Sequence, residues 1–250
     1  MLVMGILNVT PDSFADGGRH NDFEAAVARG LEMIAEGVDI IDIGGESTRP
    51  GAERVTEVEE IARTAPVIKE LAKCGTTISI DTMRANTAEA AVKAGASIIN
   101  DVSAGLADGV MLQTAARLKV SYIAMHWRGH SKDMNSKAVY GDVVSEVISE
   151  LNERIEAALD AGIQKDKLII DPGIGFAKDA EHNWAIIDSI DRFVSMGYPV
   201  LVGASRKRFL GGESPDEREQ ATIELTKRLG ATGIWAVRVH SVKPHKEVLS

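Results

Sequence analysis

Eight short apolar runs rich in Ile and Val recur along the 250 residues, most are followed by a stretch of helical period, and no linker-like segment interrupts the series. Alternation of this kind predicts parallel strands joined by crossover helices, and eight repeats favour a closed (β/α)8 TIM barrel over an open doubly wound sheet. No GxGxxG follows the first run, which weighs against the open dinucleotide-binding arrangement as well. The expected organisation is one domain over residues 1–250, an α/β barrel with a curtailed final helix.

In chain order, residues 2–7 read as the first strand, and Phe23, Ala26, Val27, Gly30, Leu31 and Ile34 follow at helical spacing until Gly37. Residues 39–43 are the second strand, and Thr56 and Glu59 stand at capping-box spacing before the next helix, which Gly75 ends. Residues 77–80 and 97–99 are the third and fourth strands, with Gly95 as the helix stop between them. Residues 120–125 are the fifth, followed by Val144, Val147, Ile148, Leu151, Ile155 and Ala158 at helical spacing and by Gly162. Residues 168–170, 199–202 and 234–239 complete the set, with Gly197 and Gly230 as stops. Only residues 243–250 remain for an eighth helix, so that helix is expected to be short or absent.

The composition, 44% hydrophobic and 26% charged, is that of a globular protein, and no apolar run approaches the ~20 residues of a membrane span. The N-terminus has no basic stretch before its first apolar run, so a cytoplasmic location is expected. With 37 acidic and 28 basic residues the net charge is −9, which disfavours nucleic acid or an anionic membrane as partner. Any anionic ligand must therefore be met locally. Cys74, the single cysteine, has no intramolecular disulfide partner and is given a structural role.

In a parallel barrel the C-terminal ends of all strands open on one face, so residues distant in sequence converge there. Those ends carry Asn8, Asp81, Asn100, Asp101, His126, Asp171, Ser205, Arg206, Lys207, Arg238 and His240. Taken singly, an Asp after an apolar strand is commonly a cap or turn residue, and a His there commonly a satisfied hydrogen-bonder. The agreement of so many strand ends is what predicts an active site. Two long polar loops, residues 8–18 and 44–51, leave the same face and are expected to act as lids. Arg49, Lys207, Arg238 and His240 supply cations suited to phosphate oxygens, whereas Asp81, Asn100 and Asp171 supply acceptors suited to a flat heterocycle bearing amino and ring N–H donors. No spacing resembles a zinc site. A magnesium ion would instead arrive with phosphate oxygens and use one or two protein oxygens, such as those of Asn8 or Asp16.

From Met4 to about Pro244 the segments MGILNVTPDSFADGG, DIIDIGGESTRPGA, ISIDTMR, IINDVSA, AMHWRG, LIIDPGIGFAK, LVGASRKRFLG and VRVH resemble, in order, the strand-end motifs of the dihydropteroate synthase family of folate biosynthesis. The HWR after the fifth strand and the HNW after FAKDA are similar to the actinobacterial branch. The resemblance implies a transferase that condenses 6-hydroxymethyl-7,8-dihydropterin diphosphate with 4-aminobenzoate, needs Mg2+, and works as a homodimer on small molecules. It implies that Asp81, Asn100, Asp171 and Lys207 hold the pterin edge, that Met125, Phe176 and Gly203 shape its slot, and that Arg238 stacks over the ring. Asn8, Arg238 and His240 would take the diphosphate, with the metal near Asn8 and Asp16. Phe14, Thr48, Arg49, Pro50 and Ser205 would form the aminobenzoate pocket, where sulfonamides would sit. Of these, Asp171, Lys207, Arg238, His240 and Asp16 are expected to be catalytic. Two departures from the family pattern are Ser241, where Asp is usual after RVH and helps hold the histidine, and the short C-terminus, since the usual eighth helix contributes to the dimer. The other readings are a corrinoid-linked methyltetrahydrofolate methyltransferase, which has no use for SRKR and RVH, and a non-catalytic pterin-binding paralogue.

Overall fold

The computed structural model describes residues 1–10, 18–46, 55–130 and 134–250. The chain alternates β1 (Leu2–Asn8), α1 (Gly18–Ala35), β2 (Ile40–Gly44), α2 (Glu57–Leu71), β3 (Thr77–Asp81), α3 (Ala85–Ala94), β4 (Ile98–Asp101), α4 (Met111–Leu118) and β5 (Ser121–Met125). It continues through α5 (Val143–Asp160), β6 (Leu168–Asp171), α6 (Ala180–Asp188), α7 (Ile190–Val194), β7 (Leu201–Val202), α8 (Glu217–Leu229), β8 (Ala236–Val239) and α9 (Lys243–Glu247). The strands are parallel in the order β6-β5-β4-β3-β2-β1-β8-β7, and a bridge between Ile170 and Val200 closes β6 onto β7. The expected barrel is therefore the observed one.

β7 is shorter than the four residues expected, and Pro199 supplies the reason. Its nitrogen has no hydrogen to donate to a ladder, so only its carbonyl takes part, accepting from Ile170 N at 2.9 Å. Five expected helix-stop glycines, Gly37, Gly75, Gly95, Gly162 and Gly197, do take positive φ, whereas Gly230 keeps right-handed helical backbone. At the start of α2 the Thr56 hydroxyl accepts from Glu59 N at 3.2 Å, as the capping-box spacing predicts, and the Glu59 carboxylate pairs with Arg63 at 3.0 Å. The last helix, α9, is the expected remnant of five residues.

Alternation along the strands sorts side chains into two apolar regions. Met4, Ile40, Ile98, Ile123, Ile169, Leu201 and Ala236 plug the barrel, while the larger cluster lies between strands and helices. β3 contributes Ser79 rather than an apolar residue at the matching level, paired in register with Asp42 on one side and Ile98 on the other. Among the described residues no helix is long and apolar enough to cross a membrane.

The strands run further than the apolar runs suggested: β1, β2, β3 and β6 take in Asn8, Gly44, Asp81 and Asp171 as ladder residues. These polar groups are consequently held by sheet hydrogen bonds and not by flexible turns. Parity then separates two neighbours. Asn100 faces the mouth, whereas Asp101, expected at the rim, turns away and accepts from Ser103 N at 2.8 Å, Ser103 Oγ at 2.7 Å, Gly105 N at 2.7 Å and Tyr122 Oη at 2.7 Å. It ties the β4 loop to β5.

Removing one donor from a fully buried carboxylate costs about 1.5–3 kcal/mol, the usual worth of a hydrogen bond to a charged group. Tyr122→Phe should lower the unfolding free energy by that amount in a urea titration without altering the fold. A loss within error of zero would show that Asp101 is already satisfied by the loop alone.

Candidate active site

At the C-terminal mouth the inward positions of neighbouring strands carry Asn8, Gly44, Asp81, Asn100, Met125, Asp171, Gly203 and Arg238. Their proximity is visible at the glycines. A Cβ on Gly44 would lie 3.5 Å from Asp81 Cβ and 3.9 Å from Asn8 Oδ1, and one on Gly203 would lie 3.8 Å from Arg238 Cβ and 3.9 Å from Asp171 Oδ2. The absence of side chains at these two positions keeps the mouth open between the polar groups.

Arg238 is the hub of one side. Its Nε donates to Asp42 Oδ2 at 2.6 Å and its Nη2 to Asp81 Oδ2 at 2.7 Å, and Asn100 Nδ2 donates to the same Asp42 oxygen at 3.0 Å. Burial alone would lower the Arg238 pKa, yet the adjoining carboxylates overcome it and the net shift is upward. Burial pushes the Asp81 carboxyl upward against the pull of Arg238, and Asp42 pushes in the same direction. Burial is thus the chief cause at Asp81, and the two carboxylates that share the single guanidinium are what hold Arg238 charged. Asp42, fully buried, was not foreseen. The available signal was a lone charge at an inward position inside Ile40-Ile41-Asp42-Ile43, which reads as an ordinary apolar strand.

The opposite side is built on Asp171. Its Oδ1 accepts from Gly173 N at 2.7 Å, and burial raises its pKa against Gly173 N–H and the charges of Lys207, Lys178 and Arg238. Lys207 donates to the Ile174 carbonyl and holds its ammonium 4.6 Å from the Phe176 ring centroid, with burial pushing it down to about 8 against Asp171. The turn between Asp171 and Phe176 needs glycine at Gly173, because φ is 69° and a Cβ would lie 2.4 Å from the His126 carbonyl oxygen.

Behind this turn lies a chain that places His126 away from the mouth. Lys178, buried and also unforeseen, has its Nζ 2.8 Å from His126 Nδ1 and donates to the carbonyls of Gly173 and Phe176, each at 3.1 Å. The other ring nitrogen of His126 lies 2.8 Å from Glu150 Oε2, whose carboxylate also binds Arg128. An acceptor at Nδ1 and a donor at Nε2 describe a neutral imidazole, as expected for a ring that burial pushes down to about 4. His126 and Lys178 thus brace the loop that carries Phe176.

His240 Nδ1 lies 2.9 Å from Ser205 Oγ, which also accepts from His240 N at 3.2 Å. Ser241 donates to Glu219, and Ser205 meets the ring of His240 at Nδ1. The basic turn divides: Lys207 points inward, Arg208 is exposed, and Arg206 pairs through Nε with Glu219 at 2.5 Å. Phe14, Asp16, Thr48, Arg49 and Pro50 lie outside the described residues. Among the described residues no cluster of three or more His, Cys, Asp or Glu could hold a metal ion.

The family described as pterin binding enzyme matches residues 4–240. The dihydropteroate synthase of Mycobacterium leprae is 47% identical over 257 residues, which cover 99% of this chain and 90% of that one. The Xanthomonas albilineans dihydropteroate synthase with 4-aminobenzoic acid superposes with a TM-score of 0.93 at 44% identity, covering 99% of this chain and 90% of that one. A structure from the same organism in complex with 7,8-dihydropteroate gives 0.89 at 41% identity, with coverage of 99% and 90%.

The buried imidazole has a consequence for stability. Unfolded, it takes a proton near 6.5, but folded only near 4. Between those values the unfolded state binds more protons, so stability falls as pH drops from about 6.5 toward 4, by at most about 1.4 kcal/mol per pH unit from this group. Because the raised Asp81 carboxyl acts in the opposite sense over the same window, the test is the difference: toward acid, urea midpoints of the wild type should lose ground relative to those of His126→Gln. Identical slopes would mean that His126 is not the group responsible.

Proposed function

The chain belongs to the dihydropteroate synthases among the pterin-binding enzymes, and from that membership we propose how its residues share the work. The enzyme joins the methylene carbon of 6-hydroxymethyl-7,8-dihydropterin diphosphate to the amino group of 4-aminobenzoate, giving 7,8-dihydropteroate and diphosphate. The observation that carries the assignment of roles is the convergence of Asp81, Asn100, Asp171 and Arg238 on one mouth above an apolar plug, with Lys207 beside Asp171.

A pterin edge presents an amino group and ring N–H donors. Asp171 accepts from them, Asn100 and Asp81 continue the acceptor row, and Lys207 donates to a ring acceptor. Met125, Phe176 and Gly203 form the walls of the slot, and Arg238 lies against the ring. The carbon–oxygen bond breaks first, with its electron pair leaving on the diphosphate, and the amine nitrogen then attacks the methylene and loses a proton. No protein nucleophile is needed, so the catalytic demand is to stabilise the anionic leaving group and the electron-poor pterin. Asp171 opposes the positive charge that develops on the ring, while Arg238, His240 and Asn8 receive the diphosphate. Thr48, Arg49, Pro50, Phe14 and Ser205 hold the aminobenzoate, and the same pocket would accept sulfonamides.

The donor set suits magnesium only in company with the substrate. One oxygen each of Asp42 and Asp81 is taken by Arg238, and Asn8 Oδ1, beside Gly44 at the same corner, adds a neutral oxygen donor. A hard cation that keeps most of its waters and binds phosphate oxygens fits that supply. Asn8 and Asp16 would hold it, and it would add positive charge at the leaving diphosphate. A homodimer in the cytoplasm completes the reading and rests on the family resemblance.

The deciding experiment is diphosphate release from the dihydropterin diphosphate with magnesium, in the presence and absence of 4-aminobenzoate. Release that depends on the amine and yields dihydropteroate is expected, whereas binding without product would make the chain a non-catalytic member of the family. Asp171→Asn keeps the shape and the Gly173 hydrogen bond but removes the charge. It should abolish turnover and weaken pterin binding by about 10- to 100-fold, as for lost hydrogen bonds to a charged group. Unchanged pterin affinity by calorimetry would remove Asp171 from the pterin edge.

A further inference from the structure

Asp42 stands one level below the mouth, paired in register with Ser79 of β3. It is fully buried, and one of its oxygens, Oδ2, accepts from both Arg238 Nε at 2.6 Å and Asn100 Nδ2 at 3.0 Å. Its other oxygen, Oδ1, has no hydrogen-bond partner among the described residues. A carboxylate that served only to stabilise the barrel would be a poor choice at this level, because an unpaired buried oxygen costs free energy that an apolar residue avoids. Its register neighbours are Ile6 of β1 and Ser79 of β3, and Ile98, which pairs with Ser79 in turn, shows that an apolar side chain fills the same level on β4.

What the carboxylate does supply is direction. A carboxylate oxygen can only accept, so Asn100 must turn its Nδ2 end down toward Asp42 and present its Oδ1 to the mouth. The same oxygen holds Arg238 by Nε, which leaves the guanidinium edge to reach Asp81. We propose that Asp42 is a positioning residue of the pterin slot, which sets the acceptor end of Asn100 and the plane of Arg238 through one shared oxygen. The proposal rests on the synthase reading and names a residue one level below those assigned to the pterin edge.

The test is the Asp42→Asn variant, with steady-state kinetics for both substrates, calorimetry with dihydropterin diphosphate alone, and thermal unfolding. An Asn at this position can offer either an amide or a carbonyl to its neighbours and carries no charge. The KM for the pterin diphosphate should rise about tenfold or more, as for a hydrogen bond to a charged group lost at one remove, while the KM for 4-aminobenzoate stays within about twofold. Ser79→Ala, which alters the adjacent buried hydroxyl, should leave both constants unchanged. In combination with Asn100→Ala the losses should be far from multiplicative, since Asp42 acts in part through that amide.

Equal increases in both KM values, or multiplicative losses in the double variant, would overturn the proposal and leave Asp42 a structural residue. If Asp42→Asn does not fold, Asp42→Ser, whose hydroxyl still accepts, takes its place in the same cycle. A wild-type protein that binds pterin diphosphate without turning it over would refute the synthase reading instead, and the calorimetric arm would still decide the role of Asp42.

Discussion

The buried arrangement of Arg238 against Asp42 and Asp81 is the constraint on which the mouth of this barrel depends. Charges in a low-dielectric interior are tolerated only when paired, and here one guanidinium has to answer two carboxylates that come from β2 and β3. The excess of negative charge is left at the level where a ligand rich in N–H donors would meet it. Asn100 joins the same cluster through Asp42, so β2, β3, β4 and β8 are tied together by side chains at the rim as well as by backbone ladders below it. Pulling one member away exposes the others to an unpaired burial.

The other half of the mouth solves a different problem. Asp171 sits in the field of Lys207, Lys178 and Arg238, so burial and positive charge act on it in opposite senses. Its loop has to pass close to the His126 carbonyl, which only glycine at Gly173 allows, and then return so that Phe176 faces Lys207. Lys178 fixes that return by reaching two loop carbonyls and the His126 ring with the three N–H bonds of an ammonium. Glu150 and Arg128 extend the chain to α5 and the segment before it. The slot wall is in this sense anchored from behind by a polar network that never reaches the mouth.

These local solutions reconcile an acidic protein with an anionic substrate. The net charge of −9 is spread over the whole chain, whereas Arg238, Lys207 and His240 are concentrated on one rim and are met by Asp42 and Asp81, by the Ile174 carbonyl and by Ser205 respectively. Fixed, already paired dipoles need little reorganisation when charge moves, which suits the departure of diphosphate proposed for this reaction. Ser241 is turned to Glu219, while Ser205 meets the His240 ring.

The sequence by itself determined the barrel, the number and order of its strands, the short final helix and most of the polar residues at its mouth, because strand and helix periods are local properties that eight repeats reinforce. It also determined the family, through motifs that each follow a strand. Only the tertiary structure decided which polar residue serves the site and which serves the frame. Asn100 and Asp101 are adjacent, yet strand parity sends one to the mouth and the other to a loop cap. His126 and Arg206 carry the right chemistry at the right places in the chain, and Glu150 and Glu219 draw them elsewhere. Asp42 is hidden in an apolar run, and its partner Arg238 lies 196 residues away. Pairing across such separations is settled by barrel closure, which brings β8 beside β1 and no local pattern can announce.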